Sequence, residues 1–338
     1  MSINELLIPK DYESKLDLVS TELAIKYVKD LFEKRLAHYL NLMRVSAPLF
    51  VQKNSGINDD LNGIERPVNF DIKELLNDDI EIIHSLAKWK RMALKRYNIG
   101  YKRGIYTDMN AIRRDEVLDN LHSVYVDQWD WEKVISKKDR NLDFLKDTVC
   151  LIVKALKDTE KELGTVFENL EPYIHDDVFF ITSQELEDLY PNLTPKQREY
   201  QIAKEYNTVC VMQIGDILKS GIKHDGRAPD YDDWSLNGDI LVYYPLLDCA
   251  VEISSMGIRV DEKSLSEQLM KAGCEGKRDL PFHKMLLNGE LPLTIGGGIG
   301  QSRICLILLN KAHIGEVQVS LWSDKMRKIC EENHIYFL

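Results

Sequence analysis

The chain has 338 residues, 44% hydrophobic and 29% charged, a balance that excludes a disordered polymer and leaves room for one large domain or two ordinary ones. Its 44 Lys and Arg against 55 Asp and Glu give a formal net charge of -11, which opposes a broad grip on the phosphate backbone, so no nucleic-acid partner is expected. The opening MSINELLIPKDYESKL has no apolar stretch behind a basic head, and no run reaches bilayer length, so neither a signal peptide nor a membrane partner is expected. Six scattered cysteines form no CxxC pair, which argues against a zinc knuckle and makes the reducing cytoplasm the default location.

In chain order, residues 1–20 read as a polar lead-in, and from Thr21 Leu23, Tyr27, Leu31, Phe32, Leu36, Tyr39 and Leu40 recur at helical spacing. The helix runs into LMRVSAPLFV, where the period becomes strand-like and Pro48 stops regular pairing. Residues 66–83 predict a hairpin with its tip at LLNDD, and HSLAKWKRMALKRY (84–97) predicts a basic helix. Short strands and loops follow, including GIYTDMNAIRRDE and LHSVYVDQWDWE, and then a long helix over 141–163. The last third alternates strand-like runs with a helix after Ser264 and closes on TIGGGIGQSRICLILLN, a turn into an apolar helix. With no repeat, low-complexity tract or Pro/Gly/Ser linker, the simplest account is one α+β domain over 21–338 behind the lead-in.

Four runs carry chemistry. In GGGIGQSR (296–303) a dinucleotide fingerprint fails at Gln301 and a Walker loop fails for want of Gly-Lys-Ser/Thr. What remains is either a glycine-rich turn capping a buried helix or a strand on which an adenine ring lies, with Arg303 beside ring or phosphate. In AIRRDE (111–116), Arg113 and Arg114 read in isolation as a solvated turn; placed after a strand, an arginine can fork onto phosphate or carboxylate. Alternation in VYVDQWDWE puts Asp127, Trp129 and Trp131 on one face and Gln128, Asp130 and Glu132 on the other. Those carboxylates repel unless a cation such as a substrate ammonium, or solvent, meets them. Finally, RAPDYDDW (227–234) packs three aspartates around Tyr231, and Asp239 and Glu252 fall on neighbouring strands, as Mg²⁺ beside a phosphate requires.

Together these runs resemble the three signatures of class II aminoacyl-tRNA synthetases, here RVSAPLF, IRRDE and GGGIGQSR. More closely, HSLAKWKR, LHSVYVDQWDWE, RAPDYDDW, LNGDILV, EISSMGIRV and TIGGGIGQSR are similar to the ammonia-dependent asparagine synthetases, a likeness running from about Thr21 to Trp322. The resemblance implies a homodimer around a largely antiparallel sheet flanked by helices. Its substrates would be L-aspartate, ATP and ammonia, with Mg²⁺ as cofactor, and AMP, diphosphate and L-asparagine as products of a β-aspartyl-adenylate route. Carried over by position, Arg113 and Arg303 would hold phosphate or activated carboxyl. Ser85, Gln128, Asp130, Tyr231 and Asp232 would grip aspartate, with Asp130 on its α-ammonium and Lys90 and Arg259 as further contacts. Asp239, Glu252 and Ser255 would support metal and nucleotide, and Asp59 would take the ammonia proton.

There are three departures from the family pattern. The chain carries extra residues at its start, and it has almost nothing between Trp234 and Asn237 where many members have a loop. The family's Gln-Asp-Asn run reads Asn58-Asp59-Asp60, so the catalytic carboxylate could be Asp59 or Asp60. The rival readings are an aspartyl-tRNA synthetase-like enzyme, which needs an anticodon module and a basic surface, and a non-catalytic amino-acid-binding paralogue, which would have lost arginines or metal carboxylates. A glutamine-using synthetase would carry a nucleophilic cysteine at position 2, where this chain has Ser2.

Overall fold

Helix α1 (Leu18–Leu40) starts three residues before its expected position because the Asp17 carboxylate accepts the Ser20 N–H at 2.7 Å and so caps the first turn. This is seen in a computed structural model, which describes residues 6–59, 61, 65–75 and 79–338. Asn41, left-handed at φ 59°, ends the helix and turns the chain into β1 (Leu42–Arg44). β2 (Phe50–Gln52), β3 (Asn69–Phe70) and β4 (Ile80–Ile82) form a small antiparallel sheet, so the expected hairpin exists; residues 76–78 of its tip lie outside the described residues.

The basic helix is α2 (Ala87–Arg96), but its cations are not a solvated face: Lys88, Lys90 and Arg91 are all buried. The central segment is more regular than expected, being two long strands, β5 (Gly104–Ile112) and β6 (Tyr125–Val134), paired antiparallel over nine registered residues. α3 (Leu142–Val166) is capped by Asn141, and β7 (Phe179–Thr182), α4 (Ser183–Leu189), α5 (Pro195–Tyr206) and β8 (Thr208–Met212) follow. β9 (Asp232–Tyr244) and β10 (Cys249–Arg259) lead into α6 (Glu262–Lys271), which starts before Ser264 because Asp261 and Ser264 form a capping box. α7 (Pro281–Leu287), β11 (Thr294–Gly300), α8 (Gln301–Leu308) and α9 (Asp324–Glu332) complete the chain.

The eight-stranded sheet has the order β1-β5-β6-β11-β10-β9-β8-β7. Its interior pairs are antiparallel, whereas β1–β5 and β7–β8 are parallel, so the sheet is mixed rather than purely antiparallel. A strand entered from a helix can join either edge in parallel, which local alternation does not reveal. One face carries the core: Phe32 and Leu36 of α1, Val149 and Ile152 of α3 and Ile304 of α8 pack on Trp129, Trp131, Ile253 and Ile295. The Phe32 and Trp129 rings lie 4.7 Å apart.

The lead-in is stitched to this core rather than hanging from it. Tyr12 is buried and donates to Glu316 at 2.9 Å, Leu7 exchanges two backbone bonds with the Asn120 amide at 2.8 Å, and Lys311 donates to Ser14 at 2.6 Å.

Three successive glycines of β11 exist because side chains from neighbouring strands cross it. A Cβ on Gly296 would fall 2.0 Å from Glu132 Oε2, one on Gly298 would fall 2.4 Å from Gln128 Oε1, and one on Gly297 would strike Met256 on the core face at 2.6 Å. The glycines thus admit polar side chains onto the sheet face opposite the core, where the site lies.

Candidate active site

Above that polar face opens a cavity of about 390 Å³, within the range that holds a nucleotide-sized ligand. Two arginines reach it from different elements. Arg303 sits in the first turn of α8, directly after the glycine strand, and its Nη1 donates to the Glu252 carbonyl at 2.9 Å. Arg113 follows β5, its backbone N–H donating to the Val124 carbonyl at 2.9 Å, and its buried Nε has no hydrogen-bond partner among the described residues. A guanidinium held with a free donor beside a cavity is set up for an anion.

Seven of the residues given roles by the family resemblance line this cavity: Arg113, Gln128, Tyr231, Asp239, Glu252, Ser255 and Arg303. Asp239 of β9 and Glu252 of β10 are close enough to couple electrostatically. Burial and the Glu252 charge push the Asp239 carboxyl up, although Arg227 Nη2, donating at 2.6 Å, pulls it down. For Glu252, burial works against ionisation, but Arg303, Lys196, Arg227 and Arg113 together hold its carboxyl below the usual range. Two carboxylates driven apart in this way are most easily ionised together when a cation lies between them. No group of three or more His, Cys, Asp or Glu suited to a metal occurs among the described residues. Burial and the Asp59 charge push the Tyr231 hydroxyl well up, so it remains a neutral donor.

The other expected residues lie beneath or beside the cavity. Lys90 of α2 bonds Asp130, donates to the Trp131 carbonyl at 2.9 Å and stands 3.7 Å from Glu132. Arg259 forks onto Glu132, with Nε 3.0 Å from Oε1 and Nη2 2.8 Å from Oε2, and its Nη1 bonds Asp232. Arg227 continues the chain, with Nε 3.8 Å from Asp232 and a further bond to Ser255. Lys90, Asp130, Asp232 and Arg259 therefore form a buried ionic layer under the site, and none of them lines the cavity as the sequence reading expected. The reason is that α2, β6, β9 and β10 bring opposite charges together on this face, Glu132 and Arg259 meeting across the glycines of β11, so each finds its partner within the protein.

Ser85, just before α2, accepts the Ala87 N–H at 3.1 Å. Asp59 is buried, accepts the Leu61 N–H at 3.0 Å and faces a smaller neighbouring cavity; the alternative carboxylate, Asp60, lies outside the described residues, as does Ser2. The three aspartates of RAPDYDDW do not cluster around Tyr231 for a metal. Asp230 takes Lys88 and His283, Asp232 takes Arg259, and Asp233 takes Arg140.

Two lining cations were missed in the sequence, Arg227 and Lys196. Arg227 opens the RAPDYDDW run, where its carboxylates drew the attention; Lys196 sits in PKQRE, which reads as any solvated helix face.

The aspartate-ammonia ligase family model matches residues 19–334. A protein of Ruminiclostridium cellulolyticum named aspartate–ammonia ligase is 61% identical over 336 residues, 99% of this chain and 100% of that one. Proteins of the same name from Clostridium perfringens and Ligilactobacillus salivarius are 61% and 60% identical, each over 99% of this chain and 100% of their own. Among solved structures, the asparaginyl-tRNA synthetase of Entamoeba histolytica in complex with asparaginyl-adenylate superposes with a TM-score of 0.61 at 12% identity, over 89% of this chain and 66% of that one. The Pyrococcus horikoshii asparaginyl-tRNA synthetase, also with asparaginyl-adenylate, gives 0.60 at 14% identity over 90% and 70%. The fold is thus that of class II synthetases, of whose first-named chain this one spans about two thirds.

Proposed function

We propose a working of this site from one premise: the chain belongs to the aspartate–ammonia ligase family and joins ammonia to the side-chain carboxyl of L-aspartate at the expense of ATP. A carboxylate is a poor acyl donor because oxide would have to leave. Attack of the aspartate side-chain oxygen on the α-phosphorus expels diphosphate and forms a β-aspartyl-adenylate, which splits one hard step into two easier ones. Ammonia then attacks the acyl carbon, AMP leaves with the C–O bond electrons, and the nitrogen gives up a proton.

Arg113 and Arg303 take the phosphate charge, Arg113 with the buried Nε that has no partner among the described residues. Ser255 and Arg227 flank them. Gln128 and Tyr231 hold the aspartate from the cavity wall, with Ser85 at the head of α2. Asp130 is the carboxylate assigned to the α-ammonium; it lies beneath the cavity wall bound to Lys90, so reaching it requires Lys90 to shift toward Glu132, 3.7 Å away. Asp232 and Arg259 fix that layer from below. Asp59 accepts the ammonia proton. The donor set of Asp239 and Glu252 fits Mg²⁺, which takes one or two carboxylates plus phosphate oxygens; when bound, it supplies positive charge to the phosphates.

The observation that carries the reading is the pair Arg113 and Arg303 facing one cavity with the coupled carboxylates Asp239 and Glu252. Chromatography of the spent nucleotide tests it, with aspartate and ammonium omitted in turn. AMP and diphosphate are expected, and ADP as main product would sink the adenylate route.

We further propose a symmetric homodimer, supported by the likeness of the α1–β1 segment to the family's dimer signature. Light scattering should give twice 39.1 kDa, and an active monomer would refute it. The cytoplasm is the proposed location, a reading supported by six cysteines that are all free.

A further inference from the structure

Beside the large cavity lies a smaller one of about 210 Å³, and two consecutive residues divide them: Tyr231 lines the large cavity and Asp230 the small one. Asp59 also lines the small cavity, while Leu61, two residues on, lines the large one. The space is too small for a nucleotide, yet it holds several molecules of water's size, each needing about 30 Å³.

Its polar atoms are unevenly satisfied. Asp230 Oδ2 accepts from Lys88 Nζ and faces His283 Nε2, each at 3.0 Å. Asp230 Oδ1 and His283 Nδ1 have no hydrogen-bond partner among the described residues, and both residues are fully buried. In the neutral ring, Nε2 facing a carboxylate is the nitrogen that bears the proton, which leaves Nδ1 as an acceptor. Two buried acceptors lacking donors are costly unless a small donor reaches them. Among the described lining residues charge is balanced, with Asp59, Glu81 and Asp230 set against Lys53, Lys88 and Lys277. That balance favours a neutral donor over a cation.

We propose that this cavity is the ammonia site: neutral ammonia donates to Asp230 Oδ1 and His283 Nδ1 and meets Asp59 from the side that nucleotide and aspartate do not fill. The inference rests on the role given to Asp59 above. It also separates the third substrate from the first two, so that ammonia reaches the adenylate without the large cavity opening to water.

Two variants of the full-length enzyme test it. His283→Gln keeps a donor toward Asp230 but removes the Nδ1 acceptor. Leu280→Trp, from the cavity wall, reduces its volume. In each, the KM for ammonium should rise about tenfold, the loss of roughly one hydrogen bond. The KM values for ATP and aspartate, and aspartate-dependent exchange of labelled diphosphate into ATP, should hold. Hydroxylamine, a bulkier nucleophile, should suffer more than ammonia in Leu280→Trp. An unchanged ammonium KM in both variants overturns the proposal and leaves a water-filled cavity. Exchange falling in parallel with synthesis also overturns it, by assigning the cavity to the activation step. If the unmodified enzyme shows no aspartate-dependent exchange, the reading of the main site fails first.

Discussion

Replacing Asp59 by asparagine is expected to lower asparagine formation by about 10²–10⁴-fold, the usual loss when a positioned base is removed, while aspartate-dependent exchange of labelled diphosphate into ATP survives. The two assays separate because exchange reports only activation, in which Asp59 has no part. The substitution is also conservative in structure. The carboxylate accepts the Leu61 N–H at 3.0 Å, and an amide oxygen in the same place can accept it too. The backbone carbonyl of residue 59, which His84 Nδ1 meets at 3.0 Å, is unchanged. What is lost is the carboxylate's charge and its ability to take a proton. Asp60→Asn is the comparison, expected to be mild. If Asp60 proves critical and Asp59 dispensable, the family register is off by one; if both are dispensable, the proton leaves by another route.

The parts of this site legible in the sequence were those fixed by local periodicity. Period-two alternation in β6 separates Trp129 and Trp131, both in the core, from Gln128, Asp130 and Glu132 on the polar face. The glycines of β11 were visible as a run, but their reason was not. They make room for Glu132 and Gln128, whose neighbouring strand lies more than 160 positions away in the chain. The same blind spot explains the ionic layer. Lys90, Asp130, Arg259 and Asp232 each read as a substrate contact, because a lone charge gives no hint that its partner waits on a distant element. Lys88 and Arg91 of the predicted basic helix are buried for the same reason. Charge alone marks a residue as costly to bury; only the sheet order says who shares the cost.

That layer sets up the second large effect. Arg259→Met is expected to destabilise the fold by about 3–5 kcal/mol, the usual consequence of removing one partner from a buried ion pair. Arg259, Glu132 and Asp232 are 3%, 0% and 1% exposed, so water cannot replace the guanidinium. Among the described residues, the cation left to Glu132 would be Lys90 at 3.7 Å, and that left to Asp232 would be Arg227 at 3.8 Å. Methionine matches much of the arginine stem's volume, so the loss reflects charge more than a cavity. The pH dependence identifies the cause. Burial alone would raise the Glu132 carboxyl, but Arg259 foremost, with Lys90, holds it below its ordinary value. A depressed carboxyl contributes stability above its unfolded pKa and loses it as pH falls through the folded one. In the variant, burial is left largely unopposed and the folded value rises, so ionisation of Glu132 opposes folding above the unfolded pKa. The gap between wild type and variant should therefore be widest near neutrality and narrow as pH falls below about 4.3, the ordinary Glu value. Urea unfolding at several pH values measures this, with Arg259→Lys expected to fall between the two because it keeps the charge but loses the fork. A gap that stays constant with pH would show that packing, not the buried carboxylates, gives Arg259 its weight.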